Sequence, residues 1–226
     1  MIRVVFFDID GTLIRTGGAG VKAFSRAGHT AFGVPNGTIT MKFAGRTDTG
    51  LVREFFHLHG IAPTPEHFQR FFDSYVFWLD HLLPHCRGGV CPGIFELIQD
   101  LRQLKPAPAI ALLTGNIRLG AEIKLRQYGL WELFETGAFA DDHEVRDQIA
   151  VVARQRTSEM LQLTDLRGEE MLVVGDTPYD IQCGRAIGAK VLGVTTGGAT
   201  SAEMRLHRPD WLVNDVREIS VADLIR

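Results

Sequence analysis

Val4-Val5-Phe6-Phe7-Asp8-Ile9-Asp10-Gly11-Thr12 is the stretch that decides the fold of this chain. Four consecutive β-branched and aromatic residues, ending abruptly at an aspartate, read as a strand buried on both faces, as strands of parallel sheets are. Two carboxylates two residues apart at a strand terminus can face one pocket. Gly11 and Thr12 are expected to leave backbone N–H groups free to receive an anion. Alone, the same letters also describe an ordinary Asp-Gly turn after a strand.

Working outward, three more apolar runs have the same form. Ala109–Leu113 ends at Thr114, Met171–Val174 ends at Gly175-Asp176, and Val191–Thr196 stops at Gly197-Gly198. Helical periods lie between them. Ile94, Leu97, Ile98, Leu101 and Leu104 follow the i, i+3, i+4, i+7 spacing, with Pro92 suited to the first helical turn. Ile117, Ala121, Leu125 and Tyr128 repeat that spacing and Gly129 is a plausible stop. Ile149, Val152, Ala153 and Met160 mark another helix, and Tyr179 to Ile187 a short one ended by Gly188. Apolar strands alternating with amphipathic helices define an α/β fold, a Rossmann-like three-layer core around a parallel sheet. Right-handed crossovers bring every strand's C-terminal end to one edge, where ligands bind in such folds. Asp8, Thr114 and Asp176 each stand where a strand ends.

Residues 15–88 break the alternation. They hold nine of the 14 phenylalanines together with Tyr75 and Trp78, and they read as three helices. Thr64 is expected to cap the third, with Pro65 in its first position and Phe68, Phe71, Phe72, Tyr75 and Leu79 along one face. So short a segment has little chain for a core, and large aromatic rings supply the buried area. The expected organisation is a core of residues 1–14 and 89–226 with an inserted helical domain at 15–88. The alternative is that these helices simply cover the sheet.

Composition bounds the function. The chain has 226 residues, 45% hydrophobic and 23% charged, with a formal charge of −3, so it is neither disordered nor fibrous. Such a balance carries no electrostatic footprint for nucleic acid or an acidic membrane surface. The apolar run Ile2 to Ile9 is interrupted by Arg3 and Asp8, is too short to span a membrane and lacks a signal-peptide centre. Three cysteines, Cys86, Cys91 and Cys183, are an odd number in a chain too long to need staples. Reduced thiols and a cytoplasmic location follow as expectations.

Two further motifs join the first. Gly175-Asp176-Thr177-Pro178-Tyr179-Asp180 pairs an acid at a strand-end turn with one in the first turn of a helix; helix-start electrostatics alone would account for Asp180 better than for Asp176. Leu113-Thr114-Gly115-Asn116 offers a hydroxyl, a glycine and an amide at a strand end as neutral donors for a phosphate oxygen. At the ends of separate buried strands, these motifs are far more specific together than apart. Clustered carboxylates repel, and a cation holds them at least cost. Oxygen ligands with no histidine or cysteine point to Mg²⁺ over zinc.

With these motifs the chain resembles the haloacid dehalogenase-like hydrolases, specifically their phosphatase branch. Asp8-Ile9-Asp10-Gly11-Thr12-Leu13 is similar to that family's first motif, Leu112-Leu113-Thr114-Gly115-Asn116 to its second, and Gly175-to-Asp180 to its fourth. The aromatic helical segment falls where the family's C1-type cap is inserted. The resemblance implies that Asp8 is the nucleophile and Asp10 the general acid/base, and that Gly11, Thr114, Gly115 and Asn116 surround the transferring phosphoryl group. It also implies Mg²⁺ held by Asp8, the Asp10 carbonyl and Asp176, with Asp180 in support. Dehalogenases of the family lack the second aspartate.

The family's third motif carries a lysine, and here no lysine occurs between Lys124 and Lys190. Arg146 is the best candidate for its place, because a guanidinium can neutralise a phosphoryl oxygen, although as a fixed planar fork. Pairing of Arg146 with Asp142 or Asp147 on a solvated face is the alternative. Between Gly11 and Thr47 there is no acid but there are Arg15, Lys22, Arg26, Lys42 and Arg46, a local +5 suited to steering a small anion. Gly45-Arg46-Thr47-Asp48 resembles the cap's substrate-contacting loop, with Arg46 expected to bind the substrate's own anionic group and Thr47 or Asp48 able to serve as a helix cap.

The expected activity is Mg²⁺-dependent hydrolysis of a small phosphorylated metabolite, with phosphoglycolate suggested by the resemblance. A phosphomutase acting on a sugar phosphate and a non-catalytic phosphate-binding relative are the alternatives. Gly18-to-Ala23 fits a loose dinucleotide fingerprint, but the acidic residue that should follow about twenty positions on is missing. His81, His85, Cys86 and Cys91 could suggest zinc, yet Pro84 interrupts the helix that would align the histidines. The expected partner is a small metabolite, with no nucleic acid or membrane, and the aromatic segment can supply a homodimer interface.

Overall fold

The computed structural model describes residues 1–225. Six parallel strands form the main sheet: β1 (Val4–Phe7), β4 (Ala109–Leu113), β5 (Thr136–Ala138), β6 (Met171–Gly175), β7 (Lys190–Val194) and β8 (Trp211–Val213), in the order β5-β4-β1-β6-β7-β8. Two two-residue strands, β2 (Ile14–Arg15) and β3 (Gly89–Val90), pair antiparallel, Ile14 opposite Val90. They bring together the two ends of the segment that departs from the sheet. Strands β5 and β8 escape the sequence reading because three residues are too few to display a period. The run at Val191 ends as a strand at Val194 rather than Thr196.

The strand period of two sorts the core into two layers. Val5, Phe7, Ile110, Leu112, Leu172 and Val174 face one side, against α4 (Ile94–Gln103), α5 (Arg118–Gln127) and α9 (Val221–Leu224). Val4, Phe6, Ala111, Leu113, Met171 and Val173 face the other, against α6 (Arg146–Met160), α7 (Pro178–Ala186) and α8 (Ser201–Leu206). The parallel sheet between two helical layers is the α/β, three-layer architecture expected from the alternation of strands and helices. Pro92 lies in the turn ahead of α4, whose N-cap is Gly93 in the left-handed region.

The three helices of residues 15–88 are α1 (Ala19–Phe32), α2 (Asp48–Leu58) and α3 (Pro65–Leu82). Thr64 caps α3 by accepting from the His67 N–H at 3.3 Å, with Pro65 behind it. Phe71, Tyr75 and Leu79 are buried while Phe68 and Phe72 are half-buried. Phe24, Phe55, Phe56 and Phe71 close a separate core, the Phe24 and Phe71 rings 4.6 Å apart. Gly28 sits under Phe55, where a Cβ would stand 2.6 Å from the ring. The start of α2 is sewn to the sheet layer: Thr47 Oγ1 donates to the Glu144 carbonyl at 2.7 Å and Asp48 N to the Gly115 carbonyl at 2.7 Å.

Candidate active site

β1 is flanked by β4 and β6 in parallel register, Phe7 standing opposite both Leu112 and Val174. The three strands therefore run out at one level, and the motifs that follow them converge. Asp8 is tied there by its own N–H to the Val174 carbonyl at 3.0 Å. Asp8, Asp176 and Asp180 each offer a carboxylate oxygen within 4.8 Å of the others, and all three are buried. Asp176 accepts from the Thr12 hydroxyl at 3.1 Å and from Gly198 N at 3.3 Å. Asp180 does two things at once. Oδ2 completes a capping box with Thr177 N and Oγ1 at 2.9 and 2.7 Å, while Oδ1 faces Arg146 at 2.5 Å.

Arg146 opens α6 and is buried, with Nη2 donating to Asp8 Oδ1 at 2.8 Å. The solvated pairing considered from sequence does not occur, since Asp142 is held by Arg156 at 2.5 Å. Nη1 of Arg146 donates to the Gly45 carbonyl at 3.1 Å, and buried Nε has no hydrogen-bond partner. Asp8 is pushed up to about 7, chiefly by burial and further by the Asp180 and Asp10 charges, against the pull of Arg146. Asp176 is raised by the same burial and by Asp180 and Asp8.

The second carboxylate of the first motif goes elsewhere. Asp10 opens into the cavity, and its Oδ2 accepts from Lys124 Nζ at 2.6 Å and from Asn116 Nδ2 at 2.9 Å. Asn116 is fully engaged, because Oδ1 accepts from Lys124 at 2.5 Å and Nδ2 also donates to Thr114 Oγ1 at 2.9 Å. Thr114 is fully buried behind Asn116, so Gly115 and Asn116 form the cavity wall. Gly11 also lines it, but the N–H groups expected to be free are not. Gly11 N donates to Ile14 O at 2.8 Å and Thr12 N to Ile9 O at 3.3 Å, closing the turn after β1. Gly11 has φ +90 and a Cβ there would lie 2.5 Å from Asp176 Oδ2, so the residue permits close approach instead.

Lys124 is the residue that sequence reading passed over, noting it only as the start of a lysine-free interval. Its signal was present, since it lies on the apolar face of α5 with Ala121 and Leu125. Burial alone would lower its basicity; the charges of Asp10, Tyr75 and Asp48 outweigh that and hold it as an ammonium. Arg46 lines the cavity, but its guanidinium is turned to Glu54, eight residues on along α2. Thr47, not Asp48, caps α2, accepting from Gly50 N at 3.2 Å.

Asp8, Asp10, Lys124, Arg146 and Asp176 floor a cavity of about 560 Å³ whose upper wall includes Val21, Phe24, Phe43, Leu51 and Tyr75. The trio holds three carboxylates against one guanidinium. Fully ionised, it carries an excess of two negative charges, and the Asp10–Lys124 pair adds none. A divalent cation with oxygen ligands balances that excess, so the residues present fit Mg²⁺.

Asp48 provides a test of this geometry. It is buried beside Lys124, accepts from Ile117 N at 2.9 Å, and is pushed up to about 6 by burial against the pull of Lys124. A folded value above the unfolded one means that its ionised form costs stability, a cost absent near pH 4 and complete once the pH has risen past about 6. Asp48→Asn is therefore expected to be nearly neutral at pH 4 and to raise Tm by several degrees at pH 8, as thermal melts at both pH values would report.

Residues 5–194 match the haloacid dehalogenase-like hydrolase family, and the chain belongs to it. The pyrophosphatase PpaX of Bacillus anthracis is 25% identical over 230 residues, covering 96% of this chain and 94% of that protein. Among solved structures, a predicted phosphoglycolate phosphatase from Haemophilus somnus superposes with a TM-score of 0.74 at 18% identity, over 100% of this chain and 98% of the other. CbbY from Rhodobacter sphaeroides, in complex with xylulose-1,5-bisphosphate, gives a TM-score of 0.78 at 18% identity over 99% of both chains. These structures share the fold. Among the described residues no helix is long and apolar enough to cross a membrane.

Proposed function

We propose that this protein is a Mg²⁺-dependent phosphatase that hydrolyses a small phosphorylated metabolite, a phosphomonoester of the phosphoglycolate kind, through an aspartyl-phosphate on Asp8. The observation that carries this reading is the buried trio of Asp8, Asp176 and Asp180 joined by Arg146, with Asp8, Asp176 and Arg146 lining the cavity and Asp180 behind them. The names of the relatives support it: one is a pyrophosphatase, and CbbY holds a phosphorylated sugar.

Residues 15–88 serve as the cap that shuts water from the reacting group. Mg²⁺, when bound, supplies charge neutralisation and alignment of the phosphoryl group. Asp8, the Asp10 carbonyl, Asp176 and Asp180 would hold it. Asp8 attacks phosphorus in line, and the bond to the ester oxygen breaks as that oxygen takes a proton from Asp10. Water then attacks the phosphorus, gives its proton to Asp10, and the electron pair of the breaking bond returns to the Asp8 carboxylate. Arg146 offsets the negative charge that would repel the nucleophile from its target. Gly11, Thr114, Gly115 and Asn116 shape the cradle, with Thr114 acting through Asn116. Arg46 can reach the substrate once it leaves Glu54. The free cysteines support action in the cytoplasm.

The test is hydrolysis of p-nitrophenyl phosphate by pure protein. Chelation with EDTA is expected to lower turnover by about 10²-fold or more, and added Mg²⁺ to restore it. A panel of small phosphorylated metabolites ranked by kcat/KM then identifies the ester. Inorganic phosphate from none of them, with Mg²⁺ present, would overturn the reading.

A further inference from the structure

The buried ammonium of Lys124 is absent from the roles assigned above, yet it touches one of the reacting groups. Its side chain is 4% exposed while that of Asp10 is 41% exposed. A half-exposed carboxylate at a cavity wall is free to change rotamer unless something holds it. Here two donors converge on the same oxygen, Lys124 Nζ at 2.6 Å and Asn116 Nδ2 at 2.9 Å, both on Oδ2. Lys124 also donates to Asn116 Oδ1 at 2.5 Å, so the three side chains form a closed ring of hydrogen bonds. In such a ring each orients the next.

We propose that Lys124 is a positioning residue for proton transfer, pinning Asp10 through Oδ2 so that Oδ1 is the oxygen that exchanges a proton with the leaving group. This rests on the phosphatase reading and adds the atom that does the work. An oxygen that faces only N–H donors cannot hold a proton of its own, so in the acid form the proton sits on Oδ1. As the bond from phosphorus to the ester oxygen breaks, its electron pair stays on that oxygen, which takes the Oδ1 proton and leaves as the alcohol. In the second step the attacking water returns a proton to Oδ1.

The ammonium also lies on the seam between the helical insert and the sheet layer. A Cβ on Gly20 of α1 would stand 3.6 Å from Nζ and 3.9 Å from the Tyr75 hydroxyl of α3, so α1 and α3 cover the ring from above. A larger residue at position 20 would crowd it.

Proton delivery matters most when the departing oxygen is a poor anion. Lys124→Met keeps the apolar stem and removes the donor. Single-turnover rates are compared on two esters, p-nitrophenyl phosphate, whose leaving group is stable as an anion, and an alkyl phosphate, whose leaving group is not. The alkyl ester is expected to slow by about 10²-fold and the p-nitrophenyl ester by less than about fivefold, with KM for both changing little. Should Lys124→Met fail to fold, the same ratio is read on Lys124→Gln, whose amide falls one atom short of Oδ2. Equal losses on the two esters, or none, would overturn the role of Lys124 while leaving the phosphatase reading intact. A wild-type protein that turns over neither ester would overturn both.

Discussion

Asp8→Asn is expected to abolish turnover without harming the fold. Asparagine has the shape of aspartate and retains an oxygen that can accept from Arg146 Nη2, now 2.8 Å from Asp8 Oδ1. The backbone bond from residue 8 to the Val174 carbonyl does not involve the side chain. What is lost is the anion proposed as nucleophile, and Asp176 and Asp180 are engaged by Thr12, Gly198, Thr177 and Arg146. Removing a nucleophile costs about 10³-fold or far more in comparable enzymes. The substitution also takes one charge out of a crowded cluster. Asp8 is held near 7 because burial disfavours its ionised form, so Tm in metal-free buffer at pH 8 is expected to be unchanged or raised. Substantial Mg²⁺-dependent hydrolysis by folded Asp8→Asn protein would remove Asp8 from the chemistry.

Arg146→Ala has the second large effect, and it falls on stability as well as rate. The guanidinium is buried and answers two carboxylates, at 2.8 and 2.5 Å. Deleting it leaves the trio without a compensating charge. Breaking a buried pair from one side costs about 3–5 kcal/mol, or roughly 10 °C in Tm for a chain of this size. Added Mg²⁺ should recover part of that loss, since a cation can take up the charge that Arg146 balanced. Turnover is expected to fall by about 10²–10³-fold. Arg146→Lys is the informative comparison. An ammonium restores the charge but as a point, without the second nitrogen that donates to the Gly45 carbonyl while Nη2 serves both Asp8 and Asp180. Melting with and without Mg²⁺, together with kcat/KM for the three proteins, separates charge from geometry. Full activity in Arg146→Ala would return Arg146 to a purely structural role.

Sequence by itself determined the longer buried strands and the amphipathic helices between them, with their order along the chain. Val4–Phe7, Ala109–Leu113 and Met171–Val174 are legible because a strand covered on both faces must be apolar at every position, and no other local structure needs that run bounded by Asp, Thr or Gly. It also determined that Asp8 and Asp176 end strands of one sheet, because right-handed crossovers leave a single edge for such ends. Thr64 and Pro65 announced α3 for an equally local reason, the unpaired N–H groups of a first helical turn.

Only tertiary structure decided what each side chain faces. Strand order, with β1 between β4 and β6, depends on pairings between residues more than a hundred positions apart. The same distance in sequence hid Lys124 from Asp10, 114 residues away, and left Arg146 with several acids to choose among. Arg46 turned to Glu54 because the helix it precedes carries that acid back beside it, and the Gly11 and Thr12 N–H groups went to the turn that makes the close approach to Asp176 possible. Local chemistry sets conformational preference within a few residues. Charge pairing in a buried site is settled by whichever groups the folded chain places within about 3 Å of one another, and that is a property of packing.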